Sequence, residues 1–209
     1  MRASISARVE ITGPAGALDS IVEDVGDHAV GHAVVCHPHP LYGGTMDNKV
    51  TTTLARAFCD AGATTYRFNF RGVGKSGGAH DEGRGETIDM LKVIAVAQVQ
   101  YPGMPVWLGG FSFGGAVALA ASEKVAASEM ILVAPAFQRL SHWPGVANGG
   151  AAPPSTLVIH GEKDDVVPLS DSFDWARTRD VPVMVVPGAD HFFHQRLHLI
   201  RTAVGRWLA

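Results

Sequence analysis

Residues 106–120 read VWLGGFSFGGAVALA, and this stretch admits few structures. Val106, Trp107 and Leu108 suit a buried strand, while the Ala-rich run from Ala116 suits a helix, so the two must meet with almost no loop between them. A chain that turns so sharply drives its central residue, Ser112, to strained dihedrals and requires small residues on either side. Gly110, Gly114 and Gly115 supply them. Such a turn lifts the Ser112 hydroxyl off the end of the strand and sets it at a helix N-terminus, whose N–H groups favour negative charge. A serine that merely caps a helix fits the same residues. The rest of the chain has to decide between them.

The surrounding sequence alternates short apolar, β-branched runs with longer Ala-rich stretches, the rhythm of an α/β fold with a largely parallel sheet. Strands are expected at Ser4–Thr12, Leu18–Val25, Gly31–His37, Thr64–Phe70, Pro105–Gly110, Glu129–Ala134, Thr156–His160 and Pro182–Val186. Between the first two lie only Gly13, Pro14 and Gly16 as breakers, so these should pair as an antiparallel hairpin leading into the parallel part. Helices are expected at Asp47–Ala61, Glu82–Gln100, Phe113–Lys124, Ser170–Arg179 and Phe192–Leu208. With 209 residues, 46% hydrophobic and 18% charged, the chain can bury one sizeable core, and disorder is excluded. The whole of 1–209 is expected to be one domain. Residues 135–154, rich in Pro and Gly, read as a short cap-like insertion over an active site.

A serine hydroxyl is a weak nucleophile at neutral pH and needs a base in hydrogen-bond reach, oriented in turn by a carboxylate. Two downstream segments offer both. The strand at Thr156–His160 runs into Gly161-Glu162-Lys163-Asp164-Asp165, and the last strand runs into Pro187-Gly188-Ala189-Asp190-His191. Serine, acid and histidine thus follow in order, each just past the carboxyl end of a strand, where open α/β sheets place their sites. Taken singly, Asp164 and Asp165 would be a solvated turn and His191 a buried histidine. Their joint placement favours Ser112 as nucleophile and His191 as base, with Asp164 and Asp165 rivals for the acid.

These motifs resemble the α/β-hydrolase superfamily, and the similarity runs over essentially the whole chain. HGEKDDVVP is similar to that superfamily's acid-bearing turn, which matches Asp164 to the acid, and GADHFF to its histidine loop. The segments CHPHPLYGGTMDNK (36–49) and NFRGVGKSG (69–77) resemble a subgroup of small, nearly lidless bacterial hydrolases. The resemblance implies an eight-stranded, mostly parallel sheet with helices on both faces and a minimal cap, and an esterase-like activity. It also implies an oxyanion hole of two main-chain N–H groups, one from Phe113. Proline's missing N–H excludes Pro38 and Pro40 from the other role. Laying His39–Gly43 on the superfamily's H-G-x-x-G loop makes Leu41 the second donor, with Tyr42 next, although the superfamily has Gly where Pro40 stands. The expected reaction is hydrolysis of carboxylic esters, with short acyl chains favoured and no cofactor. An amide, peptide or thioester acyl group would use the same residues, and an idle binding module would share the fold.

Sharper-looking motifs fail on context. Gly72–Gly77 matches G-x-G-x-x-G, but a dinucleotide site needs a helix to open there, and GGAHDEGRG follows instead. The tail Gly74-Lys75-Ser76 would require Gly at 69 to make a phosphate loop, and residue 69 is Asn. Arg71 reads as a local loop clamp. His37 and His39 in one loop, or His191, His194 and His198 on one helical face, suggest a metal, yet no H-E-x-x-H occurs and no ligand carboxylate is placed. His160 reads as a packing or hydrogen-bonding residue at a strand end, and Cys36 as a small buried residue. Phe111, Phe113, Trp143, Phe192 and Phe193 read as core and pocket wall. A net charge of −3 argues against polyanion partners, and no apolar run approaches the ~18 residues of a membrane span. Two cysteines outside any C-x-x-C pair fit a reducing compartment. The expectation is a cytoplasmic protein with a small-molecule ester substrate, and a homodimer is left open.

Overall fold

The computed structural model describes residues 4–140, 152–153 and 155–209. Eight strands form one sheet in the order β1-β2-β4-β3-β5-β6-β7-β8. They are β1 Ile5–Gly13, β2 Gly16–Asp24, β3 Gly31–Cys36, β4 Ala63–Phe68, β5 Val106–Phe111, β6 Ala127–Val133, β7 Ser155–Gly161 and β8 Val183–Val186. β1 and β2 close as an antiparallel hairpin with Gly13 opposite Gly16, and β2 alone runs against both its neighbours. From β4 to β8 every pairing is parallel. The expected mixed sheet is therefore observed.

The alternation of side chains along each strand sorts the core into two layers. On β3, Val34 and Cys36 join one cluster while Ala33 and Val35 join the other; on β6, Met130 and Leu132 separate in the same way from Ile131 and Val133. One layer is covered by α2 (Arg84–Gln100), α3 (Phe113–Ser122) and α4 (Leu169–Arg177), the other by α1 (Lys49–Ala61) and α5 (Leu197–Trp207). Both faces of the parallel strands are thus buried, which is why they read as continuous apolar runs.

The last helix starts at Leu197 and not at Phe192. Phe193 and Gln195 hold φ of 52° and 60°, in the left-handed region, and that breaks any helix running from Phe192. His191, His194 and His198 consequently share no helical face, and His194 pairs with Asp190 at 2.6 Å instead. Among the described residues no group of His, Cys, Asp and Glu gathers to hold a metal ion, and no helix is long and apolar enough to cross a membrane. Most of the expected insertion at 135–154, Trp143 included, lies outside the described residues; its start contains a single 3-10 turn at Phe137–Leu140.

After β4 the chain turns through Gly72 and Gly74 without opening a helix, and α2 begins only at Arg84. Arg71 acts there as the expected clamp, gripping the buried Asp89 of α2 through Nε at 2.9 Å and Nη2 at 2.8 Å.

Two glycines show what the packing forbids and permits. A Cβ on Gly110 would lie 2.1 Å from the Gly114 carbonyl oxygen, and backbone cannot yield to that. A Cβ on Gly205, in α5, would meet nothing within 4 Å. Gly110→Ala is expected to lower the unfolding free energy by about 3 kcal/mol, at the upper end of overpacking costs. Gly205→Ala should raise it by about 0.5–1 kcal/mol by restricting the unfolded chain and favouring helix. Urea midpoints of the two variants check both signs.

Candidate active site

β5 ends at Phe111 and α3 begins at Phe113, leaving Ser112 alone in the turn with φ 55° and ψ −119°. Neighbouring backbone holds that strained residue in place. Its N–H donates to the Val133 carbonyl at 2.9 Å, and its carbonyl accepts from Gly115 and Ala136, each at 3.0 Å. Gly114 allows the turn to press on the end of β3, where a Cβ would stand 2.4 Å from the His37 oxygen. The hydroxyl is left at the head of α3, whose first N–H groups have no intrahelical acceptor.

The structure brings Ser112, His191 and Asp164 together. Ser112 Oγ lies 3.2 Å from His191 Nε2, and His191 Nδ1 lies 2.7 Å from Asp164 Oδ2. The three come from the turns after β5, β8 and β7, at the carboxyl ends of parallel strands. Of the two rival carboxylates it is Asp164 that meets His191; Asp165 beside it is exposed. The Asp164 side chain is fully buried and accepts four hydrogen bonds. Oδ1 takes the N–H groups of Val166 at 2.9 Å and Val167 at 2.8 Å, and Oδ2 takes His191 and also His160 Nε2 at 3.2 Å. Burial alone would push its pKa up, but the bonds from His160, His191 and the Val167 N–H outweigh burial and hold the carboxyl well below the usual carboxylate range. The Asp164 carboxyl is therefore ionised at neutral pH. Because Asp164 already accepts from His191 Nδ1, the proton sits there, and Nε2 is free to accept from Ser112.

A cavity of about 410 Å³ opens over Ser112. His39 and Tyr42, with Gly43 and Gly44, form one side, Val166 and Phe192 another, and Phe113 lies beside the serine. Phe113, Phe192 and Tyr42 give it an aromatic wall, while Phe111 is fully buried against the His191 ring at 4.8 Å and Phe193 lies in the core beneath. Cys36 is buried, and burial raises its thiol pKa.

The 37–44 loop is shaped by two histidines. His37 is buried; its Nε2 accepts the Phe70 N–H at 3.0 Å, so its Nδ1–H donates to the Pro38 carbonyl at 2.6 Å. Pro40 opens a 3-10 turn over Pro40–Tyr42, and the His39 ring caps it by accepting the Leu41 N–H at 3.2 Å. That turn carries Leu41 outward. Leu41 is 70% exposed and does not line the cavity, while the Tyr42 N–H donates to the His39 carbonyl at 3.1 Å. The sequence reading missed His39 and Asn48 as lining residues. Proline after His39 and Asn48 before a helix were the available signals, since both mark helical first turns.

Burial pushes the His37 pKa down from 6.5 to about 4. Between those values the unfolded chain takes up a proton that the folded protein refuses, so stability rises with pH across that window. In calorimetric scans from pH 4 to 6.5, His37→Gln should show a shallower rise of melting temperature with pH than the wild type. Equal slopes would mean that His37 is not the group responsible.

Comparison with known proteins follows the same lines. The family described as serine aminopeptidase, S33, matches residues 32–153, which include Ser112 and the 37–44 loop. An α/β serine hydrolase homologue from Coxiella burnetii is 38% identical, with 97% of each chain covered and a TM-score of 0.88. A lidless α/β serine hydrolase from Xanthomonas campestris is 37% identical over 97% of this chain and 93% of that one, with a TM-score of 0.87. An uncharacterized protein of Rickettsia prowazekii is 28% identical over 96% of this chain and 88% of its own length.

Proposed function

The chain belongs to the serine aminopeptidase, S33 family, within the α/β-hydrolase superfamily, and from that premise we propose that it hydrolyses carboxylic esters through an acyl-enzyme on Ser112. The observation that carries this reading is the continuous chain Ser112 Oγ–His191–Asp164, at 3.2 and 2.7 Å, at the base of an aromatic-walled cavity. His191 Nε2 takes the serine proton as Oγ attacks the carbonyl carbon, then delivers it to the leaving alcohol; water attacks the acyl-enzyme by the same base. Asp164 keeps the proton of neutral His191 on Nδ1 and stabilises the imidazolium that forms.

Negative charge on the tetrahedral intermediate is met by the Phe113 N–H at the head of α3. The second donor falls to the 37–44 loop. Leu41 or Tyr42 fills that role when the oxyanion displaces the acceptor each now uses, the His39 ring for Leu41 and the His39 carbonyl for Tyr42.

The family description raises aminopeptidase action as the rival. An α-ammonium group would call for a carboxylate in the pocket, and none of the described lining residues is Asp or Glu. Aromatic and aliphatic walls with neutral polar groups suit an uncharged ester. The modest volume favours short acyl chains.

A p-nitrophenyl ester series from acetate to decanoate, run beside alanine p-nitroanilide, tests the reading. Ester turnover is expected to be highest at the short end, with the anilide far slower. Ser112→Ala should lower kcat by about 10⁶-fold and Asp164→Asn by about 10⁴-fold. Preference for the anilide would transfer the assignment to peptide substrates.

A further inference from the structure

His160 is the last residue but one of β7, its side chain is wholly buried, and the proposed reaction makes no use of it. Its polar partners are nevertheless specific. Nδ1 lies 2.8 Å from Ser172 Oγ of α4, and Nε2 lies 3.0 Å from the Val167 carbonyl and 3.2 Å from Asp164 Oδ2. A carbonyl and a carboxylate can only accept, so the Nε2 proton is shared between them; Nδ1 is then the acceptor, and the Ser172 hydroxyl donates to it. Ser172, also fully buried, thereby fixes the tautomer. The oxygen that His160 reaches is the same Oδ2 that receives His191 Nδ1. Besides Asp164, Asp171 in the first turn of α4 is a charged group that feels His160.

We propose that His160, held by Ser172, is a positioning residue of the reaction: its Nε2–H fixes Asp164 Oδ2 at the point from which that oxygen orients His191. The proposal rests on the Ser112–His191–Asp164 reading. A buried histidine that only filled space would need no hydroxyl on one nitrogen and no share in the acid on the other. Two donors on one oxygen also compete. While His160 donates, Asp164 is a weaker acceptor for His191, so the imidazolium formed in catalysis is stabilised less than by a carboxylate oxygen that served His191 alone. Removing that donor should strengthen the hold on protonated His191 and move the acid limb of kcat/KM to higher pH, while loss of alignment lowers kcat.

The test measures p-nitrophenyl acetate hydrolysis from pH 5 to 9 for the wild type, Ser172→Ala, His160→Leu, His160→Gln and Ser112→Ala, with melting temperatures recorded for each. Ser172→Ala and His160→Leu are expected to lose about ten- to a hundredfold in kcat with KM within about twofold, and to shift the acid limb upward. His160→Gln, whose amide N–H can reach the place of Nε2, should recover much of the loss. Should His160→Leu fail to fold, Ser172→Ala, which deletes one hydroxyl, decides the matter. A folded Ser172→Ala or His160→Leu with wild-type kcat and an unmoved acid limb overturns the proposal and leaves the triad reading intact. Turnover by Ser112→Ala at the wild-type rate overturns the triad reading, and this proposal with it.

Discussion

The left-handed backbone of Ser112 is the constraint on which the rest of the molecule depends. A residue with a Cβ at φ 55° is costly, on the order of 1–3 kcal/mol, and it persists only because the surroundings over-determine it. β5 must end at Phe111, α3 must begin at Phe113, and the two must cross so closely that Gly110 and Gly114 can carry no side chain. The crossing is pressed against the ends of β3 and β6, through the His37 oxygen on one side and the Val133 carbonyl on the other. The sheet order follows from the same demand, since β3 and β6 have to flank β5 for the turn to be gripped from both sides. The strain is thus held by three neighbouring strands, β3, β5 and β6, and is delivered at one hydroxyl that lines the cavity.

Around that turn the site is made of buried polar groups, each of which would be destabilising if left unpaired. Asp164 is the clearest instance: a fully buried carboxylate, held ionised by two histidines and two main-chain N–H groups. His37 is the opposite case, kept neutral by burial and fully used by Phe70 and Pro38. One histidine therefore shapes the loop in a fixed protonation state, while His191 faces Ser112 at the cavity. This division of roles among chemically identical side chains follows from which acceptors and donors each one meets.

Much of this was legible in the residues. The strands announced themselves because parallel strands buried on both faces are continuously apolar, and the hairpin because Gly13, Pro14 and Gly16 leave no room for anything longer. Ser112, His191 and the acid turn were legible because strand ends in such sheets converge on one edge, whatever the sequence between them. What failed had local causes. The histidine-bearing turn looked helical because nothing in Phe192–Arg196 signals that Phe193 and Gln195 adopt left-handed φ, a conformation imposed by the loop that presents His191. The choice between Leu41 and Tyr42 was not legible, because Pro40 starts a 3-10 turn where the aligned loop has glycine. His160 showed only as a polar residue at a strand end, because Ser172 becomes its neighbour only once α4 packs against β7.

Intact-mass measurement after exposure to a fluorophosphonate tests the central claim most directly, because the reagent reports an activated serine whatever the natural ester. The account predicts one adduct per molecule, mapped to Ser112, absent from Ser112→Ala and slowed in His191→Ala. An unlabelled wild type, under conditions that fully label a control esterase, would contradict it and leave a hydrolase-fold binding module as the better description.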